Sequence, residues 1–124
     1  MSEIELSHYT IASSGTLLDA AHAIDHNRSR CVVVVENGKA IGVISEGDLV
    51  RALLRGTDIY SSLLPFIHHG ILFLKEKDMK RALAMFLSHG ISLIPILDDD
   101  FILRDVITMQ ELLKHVRLDL PGAG

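Results

Sequence analysis

The 124-residue chain has no tryptophan, one cysteine, three prolines, two tyrosines and four phenylalanines. A single cysteine excludes an intramolecular disulfide, and Cys31, followed by four valines, reads as a small buried apolar residue rather than a reactive thiol. Basic charge is also scarce. Twelve Lys and Arg against sixteen Asp and Glu give a formal net charge of −4, which argues against nonspecific binding to nucleic acid. No apolar run approaches the roughly 18 residues that a membrane span needs. Met1 to Glu5 carry acids where a signal peptide carries bases. The expectation is a soluble, cytoplasmic protein that engages neither nucleic acid nor membrane. What the chain has in quantity is apolar surface to bury: 48% of it is hydrophobic and 23% charged, enough for a real core.

The chain repeats itself. Val32 to Ser45 (VVVVENGKAIGVIS) matches Pro95 to Thr108 (PILDDDFILRDVIT) at an offset of 63, and each reads strand, polar turn, strand. Upstream, TLLDAAHAI from Thr16 to Ile24 matches DMKRALAMF from Asp78 to Phe86 at an offset of 62, so the one-residue adjustment is expected in the loop after this segment. Apolar residues at helical spacing make both segments amphipathic helices. Tyr9 to Ala12 and Ile71 to Leu74 are strand candidates before them. The apolar runs Cys31 to Val35 and Leu93 to Leu97 suit strands buried on both faces. Asn37-Gly38 predicts a type I′ hairpin turn, because both residues tolerate positive φ. Asp98-Asp99-Asp100 holds the same place in the second unit and reads as a solvated turn, since adjacent turn carboxylates diverge too far to share a metal.

Second helices are expected at Gly47 to Arg55 and Gln110 to Val116, giving β-α-β-β-α twice in an α/β (α+β) fold. The expected divisions are a first repeat at 1–58, a connector at 59–70 with a helical turn near Tyr60 to Leu64, a second repeat at 71–117, and a fraying tail at 118–124. A sixty-residue unit is marginal alone, so the two should share one interface as a pseudo-symmetric body.

The most informative text is the junction into each second helix: Gly42-Val43-Ile44-Ser45-Glu46-Gly47-Asp48, and Asp105-Val106-Ile107-Thr108-Met109-Gln110-Glu111. A hydroxyl followed three residues later by an acid is a capping box. The same geometry serves an anion, because a helix N-terminus offers N–H groups and a positive dipole end to phosphate. A carboxylate one turn on can accept from the 2′ and 3′ hydroxyls of a ribose.

These residues give the chain a family resemblance. GVISEGDL (Gly42 to Leu49), HGISLIPI (His89 to Ile96), TLLDAAHAI and RALAMF resemble a tandem pair of cystathionine-β-synthase (CBS) domains across nearly all of residues 9 to 117. The family junction reads Gly, two apolar residues, Ser or Thr, two variable residues, Asp. The first unit matches throughout; the second departs at Asp105 and Glu111. The resemblance implies two repeats packed through their sheets with pseudo-two-fold symmetry, and a non-catalytic regulatory module that binds AMP, ADP or ATP between them and signals to a separate regulated protein. S-adenosylmethionine or NAD is the alternative ligand, and a dimerisation module with empty clefts the alternative role. Carried over, a first site uses Thr10, Ile11, Arg28, Ser29, Arg30, Cys31, Ser45 and Asp48, with Arg51, Arg28 or Arg30 available to phosphate. A second site uses Leu72, Phe73, Gly90, Ile91, Ser92, Leu93, Thr108 and Glu111. Similar modules pair into two-fold discs, and the apolar excess on the second helices supports a homodimer.

Histidines invite a separate reading. His22 and His26, four apart on a helix, have metal-ligand spacing but no identifiable third ligand, so a surface pair is expected. His68-His69 reads as loop, and His89 as a helix C-terminal residue favoured by the dipole. No nucleophile elbow, P-loop or HExxH helix occurs, and the chain is expected to be no enzyme. A small histidine-based metal hydrolase is the remaining alternative.

Overall fold

Two β-hairpins stack face to face, each with its own pair of helices on the outside. The computed structural model describes residues 5–119. In the first unit a 3-10 turn at Leu6–Tyr9 leads into β1 (Thr10–Ala12), α1 (Leu17–Asn27), β2 (Cys31–Glu36), β3 (Lys39–Ser45) and α2 (Glu46–Leu54). In the second, α3 (Met79–His89), β4 (Leu93–Leu97), β5 (Leu103–Thr108) and α4 (Met109–Asp119) follow. The order β1-β2-β3 makes one sheet, with β1 parallel to β2, and β4-β5 makes the other. The helix α4 runs on into the expected tail as far as Asp119, and 120–124 lie outside the described residues.

The period of a strand places the core. Val32, Val34 and Ile44 face Leu17, Ala20 and Ile24 of α1 and Ala52 of α2. Ile94, Ile96 and Ile107 likewise face Ala82, Phe86 and Leu112 of α3 and α4. The opposite faces meet between the sheets, where Val33 and Ala40 pack with Leu93, Leu97 and Val106. Burying each such side chain contributes about 1.5–3 kcal/mol, so the layer between the sheets holds the units together. Strand β2 is thus buried on both faces, as its valine run implies.

Local chemistry fixes the ends. Thr16 and Asp19 form a reciprocal capping box at α1, and Asp78 accepts from Lys80 and Arg81 N–H groups at α3. Asn37 (φ 53°) and Gly38 (φ 79°) make the left-handed pair expected of the first hairpin. In the second, Asp98 Oδ1 accepts from the N–H of Asp100 at 2.8 Å and of Ile102 at 3.0 Å, while Oδ2 takes Arg104.

Three expectations need correction. The pairs Cys31↔Ser45 and Leu93↔Thr108 make Cys31 equivalent to Leu93, so Val33, not Val32, corresponds to Pro95. The one-residue adjustment therefore lies in the second hairpin turn. Ile71 to Leu74 is no strand: only Leu74 pairs, with Ile96. Leu74 donates to the Pro95 carbonyl at 3.1 Å and accepts from Leu97 at 2.9 Å. The next rung would need an N–H from Pro95, which proline lacks, so the ladder stops there. The connector's helical turn sits at Leu64–Phe66, with Pro65 in its first turn. The connector is also no tether, since Leu63 and Ile67 are buried in the first unit's core.

Candidate functional site

The start of α2 carries a full capping box. The Ser45 hydroxyl accepts from the Asp48 N–H at 3.3 Å, and Asp48 Oδ2 accepts from the Ser45 N–H at 2.8 Å and its hydroxyl at 2.9 Å. The other oxygen, Oδ1, meets Arg51 at 2.7 Å and His68 at 2.7 Å. Burial alone would raise the Asp48 pKa, but the Ser45 amide, His68, the Ser45 hydroxyl and Arg51 hold it below the usual carboxylate range. A carboxylate that is only 6% exposed therefore stays ionised. His68 arrives because the connector pairs with β3: Val43 and His68 exchange backbone bonds at 2.9 and 2.8 Å. Gly42 makes this possible, since a Cβ there would lie 2.7 Å from the His68 carbonyl oxygen. The close approach that Gly42 permits is thus by the chain's own connector.

The counterpart at α4 differs. Thr108 accepts from the Glu111 N–H at 3.1 Å, but Glu111 does not return the bond. Its Oε2 takes Lys77 at 2.6 Å, a charge-assisted bond stronger than one to a neutral N–H, and its Oε1 is buried with no partner among the described residues. Lys77 also lies 3.5 Å from Asp105. Burial opposes its charge, yet Glu111 and Asp105 hold the Lys77 pKa above the ordinary lysine value.

A cleft of about 410 Å³ opens between the units. One wall is Arg30, Cys31, Val43, Ser45, Glu46, Gly47 and Arg51; the other is Gly70, Ile71, Leu72, Gly90, Ile91, Ser92, Leu93 and Pro95. The walls are drawn together where the Ser92 hydroxyl donates to the Ser29 carbonyl. Arg30, in a left-handed conformation (φ 67°), pairs with Glu46 at 3.2 Å across the rim. Pro95 has no N–H to offer the Leu72 carbonyl, no bond to the backbone N–H or C=O of Leu72 forms among the described residues, and Leu72 lines this space. Burial pushes the Cys31 thiol up to about 11, so it lines the cleft protonated and inert.

The predicted residues thus regroup across the units. Ser45, Arg51, Arg30 and Cys31 of the first set share one cleft with Leu72, Gly90, Ile91, Ser92 and Leu93 of the second. Asp48 stands buried behind Ser45. A second hollow of about 310 Å³ takes Arg28, Ser29, Arg30, Phe86, Gly90, Ile91, Ser92, Met109 and Gln110. Thr10, Ile11, Thr108 and Glu111 line neither; Ile11 packs on the first core. Phe73 lies between the sheets, its ring 5.6 Å from that of Phe101. Sequence reasoning missed Val43, Glu46, Gly47, Gly70, Ile71 and Pro95 as lining, and His68 as a partner of Asp48. Among the described residues no cluster of three or more His, Cys, Asp or Glu is placed to hold a metal, and His26 stacks edge-on with His8 at 4.5 Å rather than pairing with His22. Among them, too, no helix is long and apolar enough to cross a membrane.

Comparison with known proteins agrees with this architecture. The CBS domain model matches residues 2–55 and 71–118. The chain is 30% identical over 119 residues to an inosine-5′-monophosphate dehydrogenase of Nitrosopumilus maritimus, covering 94% of this chain and 23% of that one. It therefore spans about a quarter of that relative's length. Among solved structures it resembles a CBS domain pair/ACT domain protein of Thermotoga maritima, with a TM-score of 0.76, 19% identity and 94% of each chain covered. It also resembles a CBS domain protein of Pyrobaculum aerophilum complexed with AMP, with a TM-score of 0.72, 18% identity, and 88% and 90% of the two chains covered.

Proposed function

The chain belongs to the CBS domain family, and from that premise we propose that it is a regulatory module binding one adenosyl compound, AMP, ADP or ATP, in the cleft between its repeats. The observation that carries the reading is the division of labour between the two walls. On one side the Ser45 hydroxyl, the amino end of α2, Arg30 and Arg51 gather donors and positive charge suited to phosphate. On the other, Leu72 offers an unpaired backbone donor and acceptor among Ile71, Leu93 and Pro95, suited to the flat apolar body and the acceptor–donor edge of adenine. Asp48, ionised one turn into α2, is the acceptor for the ribose hydroxyls. Its Oδ1 becomes available when Arg51 swings toward the phosphate.

The Pyrobaculum protein was seen with AMP, which supports an adenosyl ligand over an empty cleft. The two arginines favour a phosphorylated ligand over S-adenosylmethionine, the second reading.

The repeats are taken as 1–58 and 71–117, joined by 59–70, and the output as a change in their contacts felt by a separate protein in the cytoplasm. The pair dimerises through the apolar surface that its second helices expose, Val50, Leu53 and Leu54 of α2 and Leu113 of α4. Calorimetric titration with AMP, ATP, S-adenosylmethionine and NAD tests the ligand. Absence of heat and of any melting shift with all four at millimolar concentration contradicts it.

A further inference from the structure

The pseudo-two-fold relation between the units is broken at the mouths of the two clefts. Ser45 and Thr108 are equivalent by strand register, so Gly47 and Gln110, each two residues further on, are equivalent as well. Arg28 and Gly90 form a second equivalent pair, the left-handed residues that end α1 and α3 (φ 57° and 63°). In the second cleft Gln110 Nε2 donates to the Arg28 carbonyl at 3.2 Å, a side chain from one unit tied to the backbone of the other across the mouth. In the first cleft the corresponding pair is Gly47 and Gly90, and neither has a side chain to reach across.

The consequences agree with one another. The first cleft holds about 410 Å³ and the hollow at Gln110 about 310 Å³, so the second is the smaller of two spaces toward the low end of the range for small-molecule sites. Cys31 and Thr108, the counterparts of Leu93 and Ser45, do not line that hollow. The acid behind it is also engaged elsewhere, since Glu111 is held by Lys77 at 2.6 Å.

We propose that Gln110 makes this pair single-sited: its amide closes the second cleft, and the chain takes one ligand, in the first. This rests on the adenosyl reading of the first cleft given above. Gln110 is exposed, so its removal leaves the core untouched. A Cβ at Gly47 would meet the guanidinium end of Arg51, its nearest nitrogen 3.1 Å away, and that is the far end of a long side chain that can shift. The swap is therefore possible in both directions.

The test is calorimetric titration of wild type, Gln110→Gly and Gly47→Gln with AMP, ATP and S-adenosylmethionine, with melting curves to confirm that each variant is folded. Wild type should bind one equivalent per chain, Gln110→Gly should add a second, weaker event, and Gly47→Gln should lose the first. Two equivalents in wild type, or one in a folded Gln110→Gly, overturns the proposal while leaving the adenosyl reading standing. Binding by Gln110→Gly alone overturns it as well, because the first cleft would then be the inert one. No binding by wild type or either variant removes the adenosyl reading itself.

Discussion

His68 Nε2 lies 2.7 Å from Asp48 Oδ1, so a residue of the connector holds the acid at the start of α2. The same oxygen takes Arg51, and Oδ2 is filled by Ser45. A ribose can reach this carboxylate only by displacing a donor. The backbone of His68 is paired with Val43, and Ile67 beside it is buried in the first core, so this partner of the acid is supplied by the segment that joins the two units.

Removing the competitor should help the ligand. His68→Ala frees one lone pair of Asp48 and deletes a part-buried hydrogen bond worth about 0.5–1.5 kcal/mol. Titration should show adenosyl affinity rising roughly twofold to tenfold, with a small fall in melting temperature. Weaker binding in this variant would show that His68 supports the ligand instead.

Acid should destabilise the protein through Asp48. Its folded pKa lies below the usual carboxylate range, so its stabilising contribution is complete above the ordinary carboxyl pKa of about 3.9 and is lost as pH falls through the lower folded value. Asp48→Asn has no proton to take up at this position. Its melting temperature should fall less steeply than that of wild type below about pH 4. Asp19 and Asp98, also depressed, titrate equally in both proteins, so the difference isolates Asp48. Parallel curves would contradict this.

Gly42→Ala should cost about 1–3 kcal/mol, as an overpacked core does, because the new Cβ meets the His68 carbonyl at 2.7 Å and that atom is backbone. The connector must move, and His68 with it. Thermal unfolding that is unchanged by this substitution would show that the connector is not held as described.

Self-association should run through the exposed leucines. Wild type should sediment as a dimer at tens of micromolar, and Leu54→Glu with Leu113→Glu, at positions 81% and 60% exposed, should sediment as a monomer with its fold intact. A wild-type monomer at that concentration contradicts the dimer.

Local signals in the sequence carried most of the architecture. The valine run, Asn37-Gly38 and the Ser45 to Asp48 junction each act within a few residues, and each forms what its chemistry implies. The remainder depended on partners distant in the chain. Ile71 to Leu74 has strand composition, but its pairing turned on whether residue 95 carries an N–H. Thr108 and Glu111 have capping-box spacing, but Lys77, 34 residues away, took the carboxylate. The cleft joins the start of β4 to the start of α2, a juxtaposition set by the layer between the sheets, so each site set looked self-contained within its own repeat. Gly42 was the one local sign that something passes close to β3, and what passes is His68.

Titration of AMP into wild type and Asp48→Asn tests the central claim most directly. The variant keeps an oxygen to accept the cap but loses the charge, and a ribose held by charge-assisted hydrogen bonds of about 1.5–3 kcal/mol should be lost with it. The account predicts saturable binding by wild type and affinity lower by roughly tenfold to a hundredfold in a folded Asp48→Asn. Equal binding by the two proteins would contradict it.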